Sequence, residues 1–272
     1  MRVIDELNEE LVMRGLRGAF GRPLKVFDEI GSTNSEAMTW AEEGAAEGAL
    51  VVTNHQTAGR GRRGRTWWSE PGTALQMSLV VRPGRPVDVL GLLTAAVGLA
   101  CAEGVEIASG VRPTLKWPND VTVGGRKLAG ILVESRVTGG VLDYAVIGIG
   151  LNVRPSANVP ADVAERATTV HAEAEAIEGG KHPSRVELLG WVLDAFERIY
   201  PLVGTGQGAA HIVERASNRS DVLGRRVTVQ VAEGRDLDGI ARRLLPSGAL
   251  EIETNGEFRA VHAGEIVHLR PA

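Results

Sequence analysis

Four arginines and three glycines fill seven consecutive positions, Gly59-Arg60-Gly61-Arg62-Arg63-Gly64-Arg65, with no acid among them. Planar guanidinium groups take phosphate or carboxylate bidentately, and glycines let a backbone fold over a ligand. Gly59, Gly61 and Gly64 formally satisfy G-x-G-x-x-G, but that dinucleotide fingerprint opens a helix, and strand-like residues follow here. The segment therefore reads as a pliable anion-binding loop, against the plainer alternative of a solvated basic loop. A second concentration lies at Leu115-Lys116-Trp117-Pro118-Asn119-Asp120 and Lys127-Leu128-Ala129-Gly130. Of 30 basic residues only Lys25, Lys116, Lys127 and Lys181 are lysines, so two lysines within this short stretch stand out. An ammonium is a compact charge on a flexible stem, suited to a phosphate oxygen that moves during reaction. Pro118-Asn119-Asp120 are also ordinary turn residues, and Lys116 could simply snorkel.

Two further segments have double readings. Ser32-Thr33-Asn34 stands where a helix begins, and Thr33 to Glu36 has capping-box spacing. The same small hydroxyls and unpaired N–H groups suit a polar, neutral ligand head. Gly148-Ile149-Gly150-Leu151-Asn152 ends a strand with side-chain-free positions, which admit a flat base or make a bulge. The six histidines lack metal-ligand spacing, Cys101 sits in an apolar helical pattern as core, and no Ser-His-Asp context occurs.

The elements that must position these groups follow from periodicity. Strands are expected near residues 25–27 and 49–53, with a helix over 37–43 between them and a loop over 54–72. From 73 to 81, Leu75, Met77, Leu79 and Val81 alternate with Ala74, Gln76 and Ser78, the pattern of a half-buried strand. Residues 87–107 read as a helix, and 121–123, 127–134 and 144–149 as strands joined at Gly124-Gly125 and Gly139-Gly140. Loops and short helices fill 154–183, and helices return at 185–203 and 209–217. Beyond 220, four short strands (227–231, 239–245, 249–253 and 258–262) suggest a small barrel, with a boundary near residue 219. The expected fold class is α+β, a mixed and mostly antiparallel sheet with helices, in a domain 1–219 followed by a small barrel 220–272.

Composition bounds the function. With 272 residues, 43% hydrophobic and 24% charged, the chain is globular, and its net charge of −4 supplies no global attraction to nucleic acid or anionic membrane. One cysteine excludes a disulfide framework. The N-terminus carries acids where a signal peptide needs an apolar stretch, and no run approaches the ~18 apolar residues of a membrane span. A cytoplasmic location is expected.

Together the series Ser32-Thr33-Asn34, Gln56-x-x-Gly59-Arg60-Gly61-Arg62-Arg63-Gly64, Lys116-Trp117-Pro118-Asn119-Asp120, Arg126-Lys127-Leu128-Ala129-Gly130-Ile131-Leu132 and Gly148-Ile149-Gly150-Leu151-Asn152 closely resembles the biotin protein ligases, in order and spacing, over residues 24–272. The resemblance implies a catalytic domain like class II synthetases, a C-terminal SH3-like barrel ending in Ala263-Gly264-Glu265-Ile266, and a two-step acyl transfer. Biotin and ATP give biotinyl-5′-AMP, and a lysine of a biotin carboxyl carrier protein or domain then takes the biotin. Carried over by position, Ser32, Thr33, Asn34, Gln56, Arg60, Gly61, Arg62 and Lys127 are implied to hold biotin. Arg60, Arg63, Lys116, Trp117, Asn119, Asp120 and Asn152 are implied on the ATP side, Lys127 and Arg62 as catalytic, and Asp120 as an aid to Mg2+. Only about 22 residues precede the matching region, where bifunctional members carry a winged helix, so operator DNA is not an expected partner. A monomer or weak homodimer is expected, with no membrane partner. The neighbouring readings are a lipoate or octanoate transferase and a non-catalytic RNA-binding module.

Overall fold

The computed structural model describes residues 6–231 and 236–270. Helix α1 (Glu9–Gly15) opens on Asn8, whose side-chain oxygen accepts from the Leu11 N–H. Strands β1 (Leu24–Ile30) and β2 (Leu50–Gln56) are parallel and joined by α2 (Thr33–Glu42). After the arginine loop come β3 (Ala74–Val81), α3 (Leu90–Ser109), β4 (Thr114–Lys116), β5 (Asp120–Val123), β6 (Arg126–Thr138) and β7 (Val141–Asn152). These make one seven-stranded sheet in the order β1-β2-β3-β7-β6-β5-β4, antiparallel except for the β1–β2 pair. Helices α4 (Ala161–Ala164), α5 (Val170–Glu175), α6 (Arg185–Ile199) and α7 (Gly206–Asn218) follow. Then β8 (Arg226–Gln230), β9 (Asp236–Leu244), β10 (Leu250–Thr254), β11 (Glu257–Val261) and β12 (Glu265–Arg270) form a separate antiparallel sheet ordered β11-β10-β9-β8-β12. The expected α+β class with a mostly antiparallel sheet holds.

Burial explains the layering. Leu92, Leu93, Val97, Leu99 and Val105 of α3 are fully covered between the sheet and α6, and each such side chain contributes about 1.5–3 kcal/mol of transfer free energy. By length and composition Val87–Ser109 passes as a membrane span, which the count of consecutive apolar residues had excluded, yet it forms the interior of this layer. On the opposite face α2 lays Ala37 and Ala41 against Val51, Val80 and Val146.

Three local expectations fail for physical reasons. The capping box does not form: Ser32 is the N-cap without a side-chain bond, Thr33 is already helical, and Glu36 binds Lys25 at 2.8 Å instead. Strand β3 is not half-buried, because its second face is covered too: α2 packs on Val80 and bonds Ser78 through Thr33 and Asn34, and Gln76 is engaged by Ser69. The C-terminal sheet has a fifth strand, β12, where only the resemblance marked residues 263–266.

The C-terminal sheet is stitched to the larger one. The Leu115 N–H donates to Arg219 O at 2.8 Å, and the Asp221 N–H returns to Leu115 O at 3.1 Å. Trp117 leaves the large sheet to pack with Val222, Val229 and Ile266, and its indole N–H donates to Gly248 O at 3.0 Å. Gly248, at φ 80°, lies so close to Gly91 that a Cβ there would stand 2.2 Å from the Gly91 carbonyl carbon. Only glycine allows that approach.

Candidate active site

A cavity of about 260 Å³ opens where the N-terminus of α2, the end of β2, the arginine loop and strands β6 and β7 meet. Parallel pairing sets Ile30 beside Gln56, so the strand end and the helix start face each other. The Thr33 N–H and hydroxyl both donate to Gln56 Oε1, at 2.7 and 3.0 Å. A backbone N–H can only donate, so Gln56 is fixed with its oxygen toward Thr33, and its Nε2 has no hydrogen-bond partner among the described residues. Asn34 is fixed in the same way. Its Nδ2 donates to Glu134 Oε2 at 2.9 Å and Leu132 O at 3.3 Å, and its Oδ1 accepts from the Ser78 hydroxyl at 2.6 Å. Gly148 gives this amide room, since a Cβ there would lie 2.1 Å from Asn34 Oδ1. The result is a buried end whose uncommitted groups, Gln56 Nε2 and the Ser32 hydroxyl, suit a neutral ligand with a carbonyl acceptor.

The arginine loop closes one wall as a narrow hairpin. Arg60 bridges Thr66, the Gly61 N–H donates to Arg65 O at 2.6 Å, and Arg63 and Gly64 turn the tip at φ 56° and 72°. Arg60 pairs with Glu134 at 2.6 Å, while Arg62 donates to Asn119 Oδ1 at 3.2 Å. Burial, then repulsion from Arg63, lowers the Arg62 guanidinium from its ordinary value, with Asp120 opposing. The group stays charged, and this is the electropositive corner of the site.

Lys127 rises from β6, its backbone clamped between Arg166 O and the Thr168 N–H at 2.7 and 2.9 Å. Its ammonium lies 2.6 Å from Asp120 Oδ1 and 5.7 Å from the Trp67 ring centre. Trp67 rests on a floor made by the register pair Gly130 and Gly150, where a Cβ on Gly150 would stand 2.5 Å from the indole. Asn152 donates to Lys127 O at 3.4 Å and, with Trp68 and Ala167, separates this cavity from a second of about 220 Å³.

Ten of the residues singled out from the sequence line the first cavity: Ser32, Thr33, Asn34, Gln56, Arg60, Gly61, Arg62, Asn119, Lys127 and Asn152. Arg63, Lys116, Trp117 and Asp120 instead line a narrow cleft between the loop and β12, and Trp117 turns its ring into the C-terminal core. Sequence reasoning passed over Ser78, Glu134, Trp67 and Trp68. Ser78 and Glu134 were hidden in strand patterns; the two tryptophans directly follow the loop and carried a usable signal.

Residues 26–152 match the Biotin/lipoate A/B protein ligase family, and residues 222–269 match the Biotin protein ligase C terminal domain. The chain is 34% identical over 277 residues to the biotin--[acetyl-CoA-carboxylase] ligase of Mycobacterium tuberculosis, covering 98% of each. The chain belongs to the biotin protein ligase family. It is also 31% identical to the bifunctional ligase/repressor BirA of Bacillus subtilis, over 96% of this chain and 79% of that protein. Among solved structures, the biotin protein ligase from Aquifex aeolicus in complex with biotin and ATP superposes with a TM-score of 0.73 at 26% identity, over 92% of this chain and 100% of that one. This family membership makes the protein a ligase.

Proposed function

We propose that the cavity is the site where this ligase activates biotin with ATP and from which it passes biotin to a lysine of a carboxylase carrier domain. One observation carries the assignment of the site: a donor-lined neutral pocket, a lone ammonium and an arginine loop border a single cavity. Ser32, Thr33, Asn34 and Gln56, which line its buried end, would hold the uncharged ureido head. The carboxylate would then lie toward Lys127.

In the first step a biotin carboxylate oxygen attacks the α-phosphorus of ATP. The P–O bond to the β-phosphate breaks and pyrophosphate leaves with that electron pair. Lys127, with Arg60 and Arg62, faces the oxygens on which charge accumulates, a positioning and electrostatic role. Asn152 and Trp68 border the second cavity, which would take the purine, and Arg63 and Lys116 in the narrow cleft would meet the departing phosphates. Trp117 acts here by fastening the C-terminal sheet beside the nucleotide. In the second step the carrier lysine, as free amine, attacks the acyl carbon. Its C–O bond to phosphate breaks, AMP leaves, and the surplus proton passes to water.

Among the described residues no group of three His, Cys, Asp or Glu side chains converges, and the carboxylates beside the cavity, Asp120 and Glu134, are engaged by Lys127 and by Arg60 and Asn34. The described residues offer no cage of their own, and we propose that Mg2+ enters on the polyphosphate, as part of the substrate, with Asp120 beside it. We further propose that residues 1–219 form the catalytic unit and 220–272 an SH3-like barrel, that the enzyme works in the cytoplasm as a monomer or weak dimer, and that it has no DNA partner. Incubation with ATP, Mg2+ and either biotin or lipoate tests the reaction: pyrophosphate should appear with biotin alone. Release with lipoate instead would reassign the substrate.

A further inference from the structure

Each of the four loop arginines is held by an acceptor outside the loop, and the partners divide by domain. Arg60 belongs to the large sheet through Glu134. The other three reach the C-terminal sheet or the turn into β12, Arg62 while also holding Asn119 beside the large sheet at 3.2 Å. Arg63 donates twice to Gln230, to Oε1 at 3.0 Å and to the backbone oxygen at 2.9 Å. Arg65 pairs with Glu265 at 2.5 Å, and Arg62 reaches Gly264 O at 3.5 Å. The loop tip also adopts a backbone that free chains avoid, since Arg63 is a non-glycine residue at φ 56°. Such a conformation persists where surrounding contacts over-determine it, and here those contacts are the two bonds to Gln230.

We propose that Gln230 and Glu265 are positioning residues that catch the arginine loop over the cavity, and so set how long the activated acid is retained before a carrier arrives. The inference rests on the reading of the cavity as the adenylate site. The catch is built from exposed or half-exposed groups, each contact weak by itself and screened by salt, so it yields to an arriving partner while excluding chance openings. Neither residue touches the reacting atoms. Releasing the catch therefore acts chiefly on retention, and slows the first chemical step only as far as Arg62 and Arg63 lose their placement. A freed adenylate meets a bystander lysine in solution: the amine forms an amide with the acyl carbon, the C–O bond to phosphate breaks, AMP departs and the amine proton goes to water.

The test compares wild type with Glu265→Gln, Gln230→Ala, the pair of both, and the charge exchange Arg65→Glu/Glu265→Arg. Each is supplied with biotin, ATP and Mg2+ beside an unrelated lysine-rich protein. Pyrophosphate release measures the first step and shows that each variant is folded; mass spectrometry counts biotin on the bystander. Each single variant should raise bystander labelling about fivefold, the equivalent of ~1 kcal/mol at about 1.4 kcal/mol per tenfold. The two together should raise it more, and the charge exchange should label less than Glu265→Gln. Unchanged labelling in Glu265→Gln and Gln230→Ala, with normal pyrophosphate release, overturns the proposal. So does a charge exchange that leaks as much as Glu265→Gln. Absence of biotin-dependent pyrophosphate from wild type would instead overturn the reading of the cavity on which the catch depends.

Discussion

Removal of the Lys127 side chain is the perturbation whose consequence follows most fully from the geometry. The backbone of Lys127 is held by Arg166 O and the Thr168 N–H, and its side chain remains one-third exposed, at 34%, so Lys127→Ala should keep the fold. Loss of one preorganised group facing charge that develops in the transition state costs about 10²–10³-fold in rate, or ~3–4 kcal/mol. A second cost is specific to this site. Asp120, 2.6 Å from the missing ammonium, would be left as an unpaired carboxylate beside the incoming phosphates. Like charges within a few ångströms oppose each other by about 1–4 kcal/mol, depending on solvent access. The double variant Lys127→Ala/Asp120→Asn should therefore release pyrophosphate about tenfold faster than Lys127→Ala alone, a recovery of ~1.4 kcal/mol. Single-turnover pyrophosphate release, with the melting midpoint as a control for folding, measures both effects. A wild-type rate in Lys127→Ala removes the ammonium from the mechanism. A double variant no faster than the single one refutes the account of Asp120.

Arg62→Gly should open the electropositive corner of the loop and release activated acid, seen as biotin on unrelated lysines by mass spectrometry; unchanged labelling with normal carrier modification would contradict its sealing role. Ser78→Ala deletes the donor that fixes the Asn34 amide, and loss of a buried hydrogen bond of that kind costs about 1–3 kcal/mol, so KM for biotin should rise ~5–150-fold while kcat stays within about twofold. A fall in kcat at constant KM would assign Ser78 elsewhere. Burial raises the Asp221 carboxyl above its ordinary value, against the hydrogen bond from Thr122 and the charge of Lys116. The folded chain thus holds this proton more tightly than the unfolded one, and the stability it confers at low pH is lost as pH rises through the raised value. Asp221→Asn should accordingly melt higher than wild type at about pH 7.5, with the gap closing toward about pH 3, where both forms are neutral. An equal gap at both pH values would contradict the assignment to titration.

Much of the site was legible in the sequence because its parts are contiguous. The arginine loop, Lys127 and the glycine floor each announce themselves by unusual residue types at short spacing. What escaped was relational. Ser78 sits in an alternating pattern that places it on the solvent side, and only the docking of α2 across β3 makes that face interior. Glu134 is one acid in a long strand until Asn34 and Arg60 converge on it from far away in the chain. Trp117 shows a different gap. Its place in a chemically rich motif suggested contact with the nucleotide, whereas its indole fastens the C-terminal sheet through Gly248, a contact no local pattern encodes. The sheet itself followed from strand periodicity, but the capping box did not form, because Ser32 rather than Thr33 is the N-cap and Glu36 pairs with Lys25.

The most direct test of the central claim is a crystal structure of this chain with biotinyl-5′-AMP. The ureido group should lie against Ser32, Thr33 and Gln56, with the acyl-phosphate linkage beside Lys127 Nζ and beneath Arg62. Density for the compound away from both Lys127 and the arginine loop would contradict the account.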